Sequence, residues 1–383
     1  MVSNTRKLIL DVRSGSVSAL ILDKSKAGAT KLILARRVRV PLLAVYDEHR
    51  LMQYVEQAIS ELLKEMRKQV TSLTEIHVCV STPWVHSQAR EVAYKPNHPF
   101  EINSKLISRL VAEETDLYIA DLSSAEGTTD NIVIESEITE SRLNGYVSKP
   151  SANKQIETLE MELFFSSIEG WVAKSIDRAI RGVYSTRDIF FHSFAYLALI
   201  GTRMIISPSI TNYLIINIGG EVSEIHLISE GVAKQSTSIP LGAHTISREI
   251  STQTGLEVGA ARSMYEAYRD GRVSEQVKID VELTINEVKL RWQTYIRNVL
   301  SKLATKYMLP SEIIIIGNPK TEEVVGSILQ DPTFIELTSS REITTKLLMP
   351  TELKSSQLSN EDMTKLDVFS AVELYALEAL SLM

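Results

Sequence analysis

The chain has 383 residues, 44% hydrophobic and 23% charged, enough for a sizeable core in one large bilobed fold or in two to three domains. With 41 basic against 48 acidic residues the net charge is −7, which argues against nucleic acid or an anionic membrane as partners. Cys79 is the single cysteine, so no disulfide framework forms within the chain and a reducing, cytoplasmic compartment is expected.

The N-terminal MVSNTRKLILDV has no apolar signal-peptide core, and no stretch reaches the roughly 18 apolar residues of a membrane helix. KLILDV (7–12), VSALILD (17–23) and TKLILARRVRV (30–40) are β-rich runs separated by turn residues, and so predict three consecutive strands. Residues 47–70 place apolar side chains at 51, 52, 55, 58, 59, 62, 63 and 66, a helical period. EIHVCVS (75–81) reads as a buried strand, with Cys79 as a small core residue. From 84 to 166 the character changes. A strand, an amphipathic helix near 103–119, the polar loop SSAEGTTDN, and two alternating strands at 132–139 and 154–167 predict a small inserted α/β module. A helix at 168–183, the strand DIFFHS and the helix FAYLALIGTRMI follow. NYLIINIGG, EVSEIHLISEG and VAKQSTSIPLG then form a second three-strand meander, with helices at about 243–253, 257–269 and 274–307. SEIIIIGN (311–318) is a buried strand, KTEEVVGSILQ a short helix, TFIEL a strand, and SNEDMTKLDVFSAVELYALEAL a closing helix.

A meander plus helix thus occurs twice, starting at Lys7 and at Asn212, which points to two similar lobes across a cleft. LILDVRSGSVSALILD resembles the first phosphate loop of the actin-like superfamily of actin, Hsp70 and the sugar kinases. INIGGEVSEIHLI resembles its second phosphate loop, and IIIIGN the start of its adenosine loop. IPLGAHTISREI, with the strand–helix–strand–strand order of the insert, is similar to the bacterial branch that holds the cell-division protein FtsA and the type IV pilus protein PilM. The resemblance implies a duplicated, bilobed α/β fold, actin-like (ribonuclease H-like), with a small SHS2-like module. It divides the chain into a first lobe (1–83 and 167–208), the module (84–166), a second lobe (209–350) and a closing helix (351–383) that returns to the first lobe.

In such a fold one glycine turn per lobe pinches a nucleotide phosphate chain and Mg²⁺ through backbone N–H groups. The resemblance makes Asp11 the carboxylate that holds Mg²⁺ through water. Arg13 stands where the pattern has glycine, and Ser14, Gly15 and Ser16 offer N–H and hydroxyl donors. Arg13 has three readings: on a phosphate, filling the phosphate space, or in solvent. In the second loop Asn217 replaces the expected aspartate and bonds a metal-bound water without adding charge. Gly219, Gly220 and Ser223 follow the pattern, whereas Glu221 takes the third glycine's place, either towards the γ-phosphate or in solvent. His192 stands where the family often carries a water-orienting glutamate; it is a candidate base alongside Asp11 and Asn217, or a packed histidine. Arg262 is the nearest polar candidate for adenine and ribose, and Gly317 and Asn318 for the adenosine loop, where Pro319 removes an N–H donor.

The departures fall in every expected contact region and imply at most a slow ATPase. No Walker A or dinucleotide motif and no metal-spaced His/Cys cluster is present. ARRVRV (35–40) alternates as one solvated strand face. The last helix carries Asp367, Glu373 and Glu378 and no basic residue after Lys365; it reads as a core helix and not as a membrane-surface one, an ending similar to that of PilM. The resemblance therefore implies a cytoplasmic scaffold at the inner face of a membrane, reached through a partner's cytoplasmic peptide or a division or pilus component. ATP and Mg²⁺ are its possible cofactors and self-association into filaments a possible state. The alternatives are an active Mg-ATPase and a small-molecule kinase, the latter disfavoured by the insert.

Overall fold

A computed structural model describes residues 5–24, 30–126, 130–149, 154–186, 188–338, 340–353 and 358–380. The expected turn at 25–29 and part of the SSAEGTTDN loop (127–129) lie outside the described residues.

The chain opens with β1 (Thr5–Arg13), β2 (Ser16–Lys24), β3 (Thr30–Arg39), α1 (Glu48–Arg67) and β4 (Glu75–Val80). Asp47 caps α1 by accepting from the Arg50 amide, and the predicted apolar stripe from Leu51 to Met66 is the face that α1 buries. The insert follows: β5 (Val85–Tyr94), β6 (Phe100–Glu101), α2 (Ser104–Glu126), β7 (Asn131–Leu143), β8 (Tyr146–Val147), β9 (Gln155–Ile156) and β10 (Leu159–Glu169). The helix α2 runs seven residues past the expected end, through SSAE, before the polar loop begins. Then come α3 (Gly170–Arg181), β11 (Asp188–Ser193) and α4 (Phe194–Ile205).

The second half holds β12 (Tyr213–Ile218), β13 (Ser223–Ser229), β14 (Val232–Ile239), α5 (His244–Thr254), α6 (Val258–Arg269), α7 (Glu275–Ala304) and β15 (Glu312–Ile316). It continues through α8 (Pro319–Leu329), α9 (Pro332–Ile335) and β16 (Thr344–Leu347). A 3₁₀ turn (Pro350–Glu352), α10 (Asn360–Met363) and α11 (Val368–Ala379) close the chain. One element differs in type from the sequence expectation. TFIEL is not a strand: Asp331 accepts from the Thr333 amide and Pro332 sits at the first helical position, so the segment starts a helical turn as α9. The fifth strand of the second sheet is supplied later, by TTKL.

The two large sheets share one topology. The first runs β3-β2-β1-β4-β11 and the second β14-β13-β12-β15-β16. In each, the meander is antiparallel and the two outer crossovers are parallel. Parallel neighbours require a crossover, and helices supply it on the sheet faces. The helices α1 and α3 cover one face of the first sheet. The helices α4 and α11 pack together on the other face, in a core that also takes Tyr213, Ile215, Ile314 and Ile316 of the second sheet, so the lobes share apolar contact behind the cleft. On its outer face the second sheet carries α5 to α8. The insert has its own sheet, β5-β10-β7-β8, and its own core under α2.

Candidate functional site

The β1–β2 turn and the β12–β13 turn meet at the centre of the molecule. A methyl group added at Gly220 would lie 2.6 Å from Ser14 Oγ and 2.9 Å from His244 Cε1. One added at Gly15 would lie 2.9 Å from His244 Nε2. The tips of the two turns therefore touch, with the His244 ring between them, and the glycines are needed for that approach. The second turn is also capped from behind: the Ala243 and His244 amides at the start of α5 donate to the carbonyls of Gly219 and Gly220, each at 2.9 Å. These are the helix-terminal donors that would suit a phosphate, and here they are satisfied within the protein. Ser223 Oγ donates to Leu241 O at 2.7 Å and is likewise engaged.

Asp11 and Arg13 alternate on β1, and Arg13 turns back onto the carboxylate. Arg13 Nη2 lies 2.7 Å from Asp11 Oδ2, 2.6 Å from Asp367 Oδ2 and 3.4 Å from Ser18 Oγ. Its guanidinium carbon is 4.1 Å from the centre of the Phe369 ring. Asp367 in turn caps α11 through the Ser370 amide and pairs with Arg37 at 3.0 Å. Of the three readings of Arg13, the one in solvent does not hold: the side chain is buried among acids, at the wall of the cleft beside the turns. Glu373 of α11 is fully buried, and burial together with the adjacent Asp11 pushes its carboxyl well above the usual range. Burial also raises Asp11, against the pull of Arg13.

Glu221 is neither in solvent nor directed at an open phosphate space. Both carboxylate oxygens are held by Arg248, at 2.7 and 2.8 Å, and Oε1 is also 2.8 Å from His244 Nδ1. Burial alone would raise this acid, but the His244 and Arg248 hydrogen bonds and charges outweigh it and bring it down to about 2. Arg248 also donates to Leu43 O, in the first lobe's loop after β3, at 2.8 Å. Asn217 points its amide nitrogen at Glu224 Oε2, 2.8 Å away, while its Oδ1 is buried without a partner. Ser14 Oγ is similarly buried and unpartnered.

Beside the turns lies a cleft of about 470 Å³. Gly15, Ser16, Gly219 and Gly220 line one end, and Arg262 and Asn318 are also on its wall; Gly317 is buried directly after β15. The sequence reading missed Arg37, Arg39, Arg269 and Tyr265, which line the same cleft. Arg37 and Arg39 are the solvated face of ARRVRV, and strand register places them opposite Ser18 and Ser16, next to the first turn. Arg39 reaches Glu266 at 2.9 Å, and Arg262 donates to Val40 O at 3.2 Å, so both tie the lobes together. His192 is not brought here. It stands in β11, two strands from Asp11, with Nε2 3.1 Å from His77 Nδ1; burial and then His77 lower it to about 4.

The donor set fits a hydrated Mg²⁺ poorly. The one carboxylate that the resemblance assigns to the ion is already faced by a guanidinium, and Asn217 adds no charge. The arginines along the cleft suit anions without a metal, but Arg37 already pairs with Asp367, and Arg39 and Arg262 with Glu266, which with Asp270 is also on the wall.

No family model matches the sequence, and no curated protein matches it. Solved structures do match. A PilM–PilN type IV pilus biogenesis complex aligns at 13% identity over 98% of each chain with a TM-score of 0.64. The ethanolamine utilization protein EutJ from Carboxydothermus hydrogenoformans aligns at 11% identity over 98% of this chain and 90% of its own, with a TM-score of 0.44. A Bacteroides thetaiotaomicron protein described as having an actin-like ATPase fold and unknown function aligns at 9% identity over 95% and 98%, with a TM-score of 0.46. At these identities the likeness is one of fold, and the first alignment carries it. With the repeated five-strand order, it establishes that the chain has a duplicated, bilobed actin-like fold.

Proposed function

We propose that the chain is an actin-fold scaffold of a membrane-associated machine, of the kind formed by FtsA and PilM, and that its own side chains do the bridging that Mg-nucleotide does elsewhere. The observation that carries the proposal is Arg13 seated on Asp11 and Asp367. Phosphoryl transfer depends almost wholly on positioning and charge stabilisation, so a guanidinium on the metal carboxylate and amides turned inward at α5 argue against turnover. The likeness to a pilus assembly complex supports the role, and the insert's strand–helix–strand–strand order supports an SHS2-like docking module over about 84–166. Among the described residues no helix is long and apolar enough to cross a membrane. In this reading the protein works in the cytoplasm and reaches the membrane through a partner's short cytoplasmic peptide, held at the module and the groove beside it. PilN is the partner named in the solved complex.

A second reading, nucleotide binding without hydrolysis, is favoured by Arg37, Arg39, Arg262 and Arg269 along the cleft. Titration with ATP, with Mg²⁺ and with a chelator, alongside a phosphate-release assay, separates the two. The scaffold proposal expects neither turnover nor saturable binding in either condition, and saturable binding without turnover would favour the second reading. Steady Mg²⁺-dependent turnover that Asp11→Ala abolishes would overturn it. Sedimentation with and without nucleotide distinguishes a filament former from a monomeric adaptor.

A further inference from the structure

A second cavity, of about 240 Å³, lies where the insert meets the second lobe, away from the arginine-lined cleft. Its wall on the second-lobe side is one face of β13. The sequence SEIHL alternates there: Ile225 and Leu227 enter the second-lobe core, while Glu224 and His226 face the cavity. The opposite wall is made by β5 and α2 of the insert, with Thr82 at the floor.

Three features of the lining belong together. Glu224 is only 5% exposed, accepts one hydrogen bond from Asn217 Nδ2, and forms no ion pair among the described residues. His226 is 1% exposed; Nδ1 is 3.0 Å from Ser236 Oγ, and Nε2 is buried with no partner among the described residues. Thr82 Oγ1 is also buried and unpartnered. The tautomer that donates from Nδ1 to Ser236 presents His226 Nε2 as an acceptor. Among the described residues no lysine or arginine lines the cavity. Buried polar groups are nearly always satisfied, so Glu224, which has no counter-ion among the described residues, and the unpartnered His226 Nε2 and Thr82 Oγ1 beside it are completed by a cationic donor.

We propose that this cavity binds a primary ammonium or guanidinium group, with Glu224 as counter-ion and His226 and Thr82 as further hydrogen-bond partners. An ammonium has three donors and a guanidinium five, enough to meet Glu224, His226 Nε2 and Thr82 Oγ1 together. Burial raises Glu224 to about 7, so a bound cation is what holds it ionised, and the specificity is opposite to that of the arginine-lined cleft. The cation is either a free small amine or the basic side chain of a protein partner, and the chemistry recognised is the same.

The test uses the full chain and saturation-transfer NMR with calorimetry. The probes are Nα-acetyl-lysine methylamide, its arginine counterpart and the neutral norleucine counterpart. At least one cationic probe is expected to bind saturably, at least about tenfold more tightly than norleucine, and to weaken with added salt. Glu224→Gln keeps the acceptor for Asn217 and is expected to erase the preference for the cation. Equal binding of norleucine, no saturable binding of either cation, or an unchanged preference in Glu224→Gln would overturn the proposal. If Glu224→Gln does not fold, the comparison of charged with neutral probes on the unmodified chain still decides. A capped pentapeptide with a central lysine separates the sources: tighter binding than the single residue assigns the site to a partner's side chain, equal binding to a free amine.

Discussion

The two glycine turns make a natural comparison, because the lobes that carry them share a strand order and the turns lie in contact. Each turn holds one charged residue where the family pattern has glycine, and the signs are opposite. Arg13 in the first turn is surrounded by Asp11, Asp367 and Glu373. Glu221 in the second is surrounded by Arg248 and His244. Each intruding charge is neutralised within the protein, and each reaches outside its own hairpin for the neutralising partner. The first ties β1 to the closing helix, and the second ties the β12–β13 turn to α5 and, through Arg248, to the first lobe. Both pairs therefore link elements beyond the hairpins that carry them.

The two intruding charges are equally buried, Arg13 7% and Glu221 8% exposed, so the order of effects is set by what the loss of each leaves behind. Arg13 is buried, and its loss leaves acids together in a low-dielectric core. Arg13→Ala is therefore expected to cost about 4 kcal/mol in denaturant unfolding, in the range for breaking a buried pair by removing one partner. If Arg13→Ala unfolds near the parent midpoint, the acid cluster is wetter than the packing implies and the comparison fails. Glu221→Ala strands a guanidinium that is already 21% exposed, which water partly rescues, so a smaller loss of about 3 kcal/mol or less is expected.

Much of this frame was legible in the sequence, for particular reasons. The meanders show because alternation and short turns are local signals, and the α1 stripe shows because period 3.6 is local too. Asp11, Arg13 and Glu221 could be singled out from a local pattern. Their partners could not: Asp367 is 354 residues from Arg13, and nothing in LDVFSAVELYALEAL says which strand the acid will meet. Glu373 did carry a signal that went unused, since an acid inside a helix buried on nearly every side requires a buried cation or a shared proton. ARRVRV disclosed an exposed face but not that the face borders a cleft. Glu224 and His226 were similarly hidden, because a strand buried on both faces gives no hint of which face adjoins a cavity. TFIEL misled because its composition is strand-like while the preceding Asp-Pro starts a helical turn.

Acid should erode both turns together. Burial alone would raise Asp367, but Arg13 and Arg37 overcome it and hold the carboxyl at about 2; Glu221 is held at about 2 by His244 and Arg248. Both folded values lie below the unfolded ones, so the stabilisation is fully present above about pH 4.5 and is lost as pH falls through about 2. The expected loss is about 2 to 3 kcal/mol per carboxylate. Glu135, raised to about 7 by burial, works in the opposite sense: its contribution is present below about pH 4.5 and is lost as pH rises through 7. Denaturation midpoints measured from pH 2 to pH 8 read both limbs. In Glu221→Gln the acid limb should shrink while the limb near neutrality stays, and an unchanged acid limb would mean that Glu221 does not carry the charge assigned to it.

The smallest effect tests whether the turns touch at all. A Cβ at Gly15 meets only the edge of the His244 ring, at 2.9 and 3.2 Å, and a small tilt of that ring about its Glu221 bond relieves the contact. Gly15→Ala should therefore cost under about 1 kcal/mol. Gly220→Ala should cost more than Gly15→Ala, because its Cβ meets Ser14 Oγ at 2.6 Å as well as the ring at 2.9 Å, and the ring is held by Glu221 from the other side. The informative readout is the His244 ring resonance. Each alanine enters from a different lobe, so if the tips are in contact both substitutions shift the same ring. A shift with Gly220→Ala and none with Gly15→Ala would mean that the first turn stands off from the second and that the lobes are held by their arginines and the apolar contact behind the cleft.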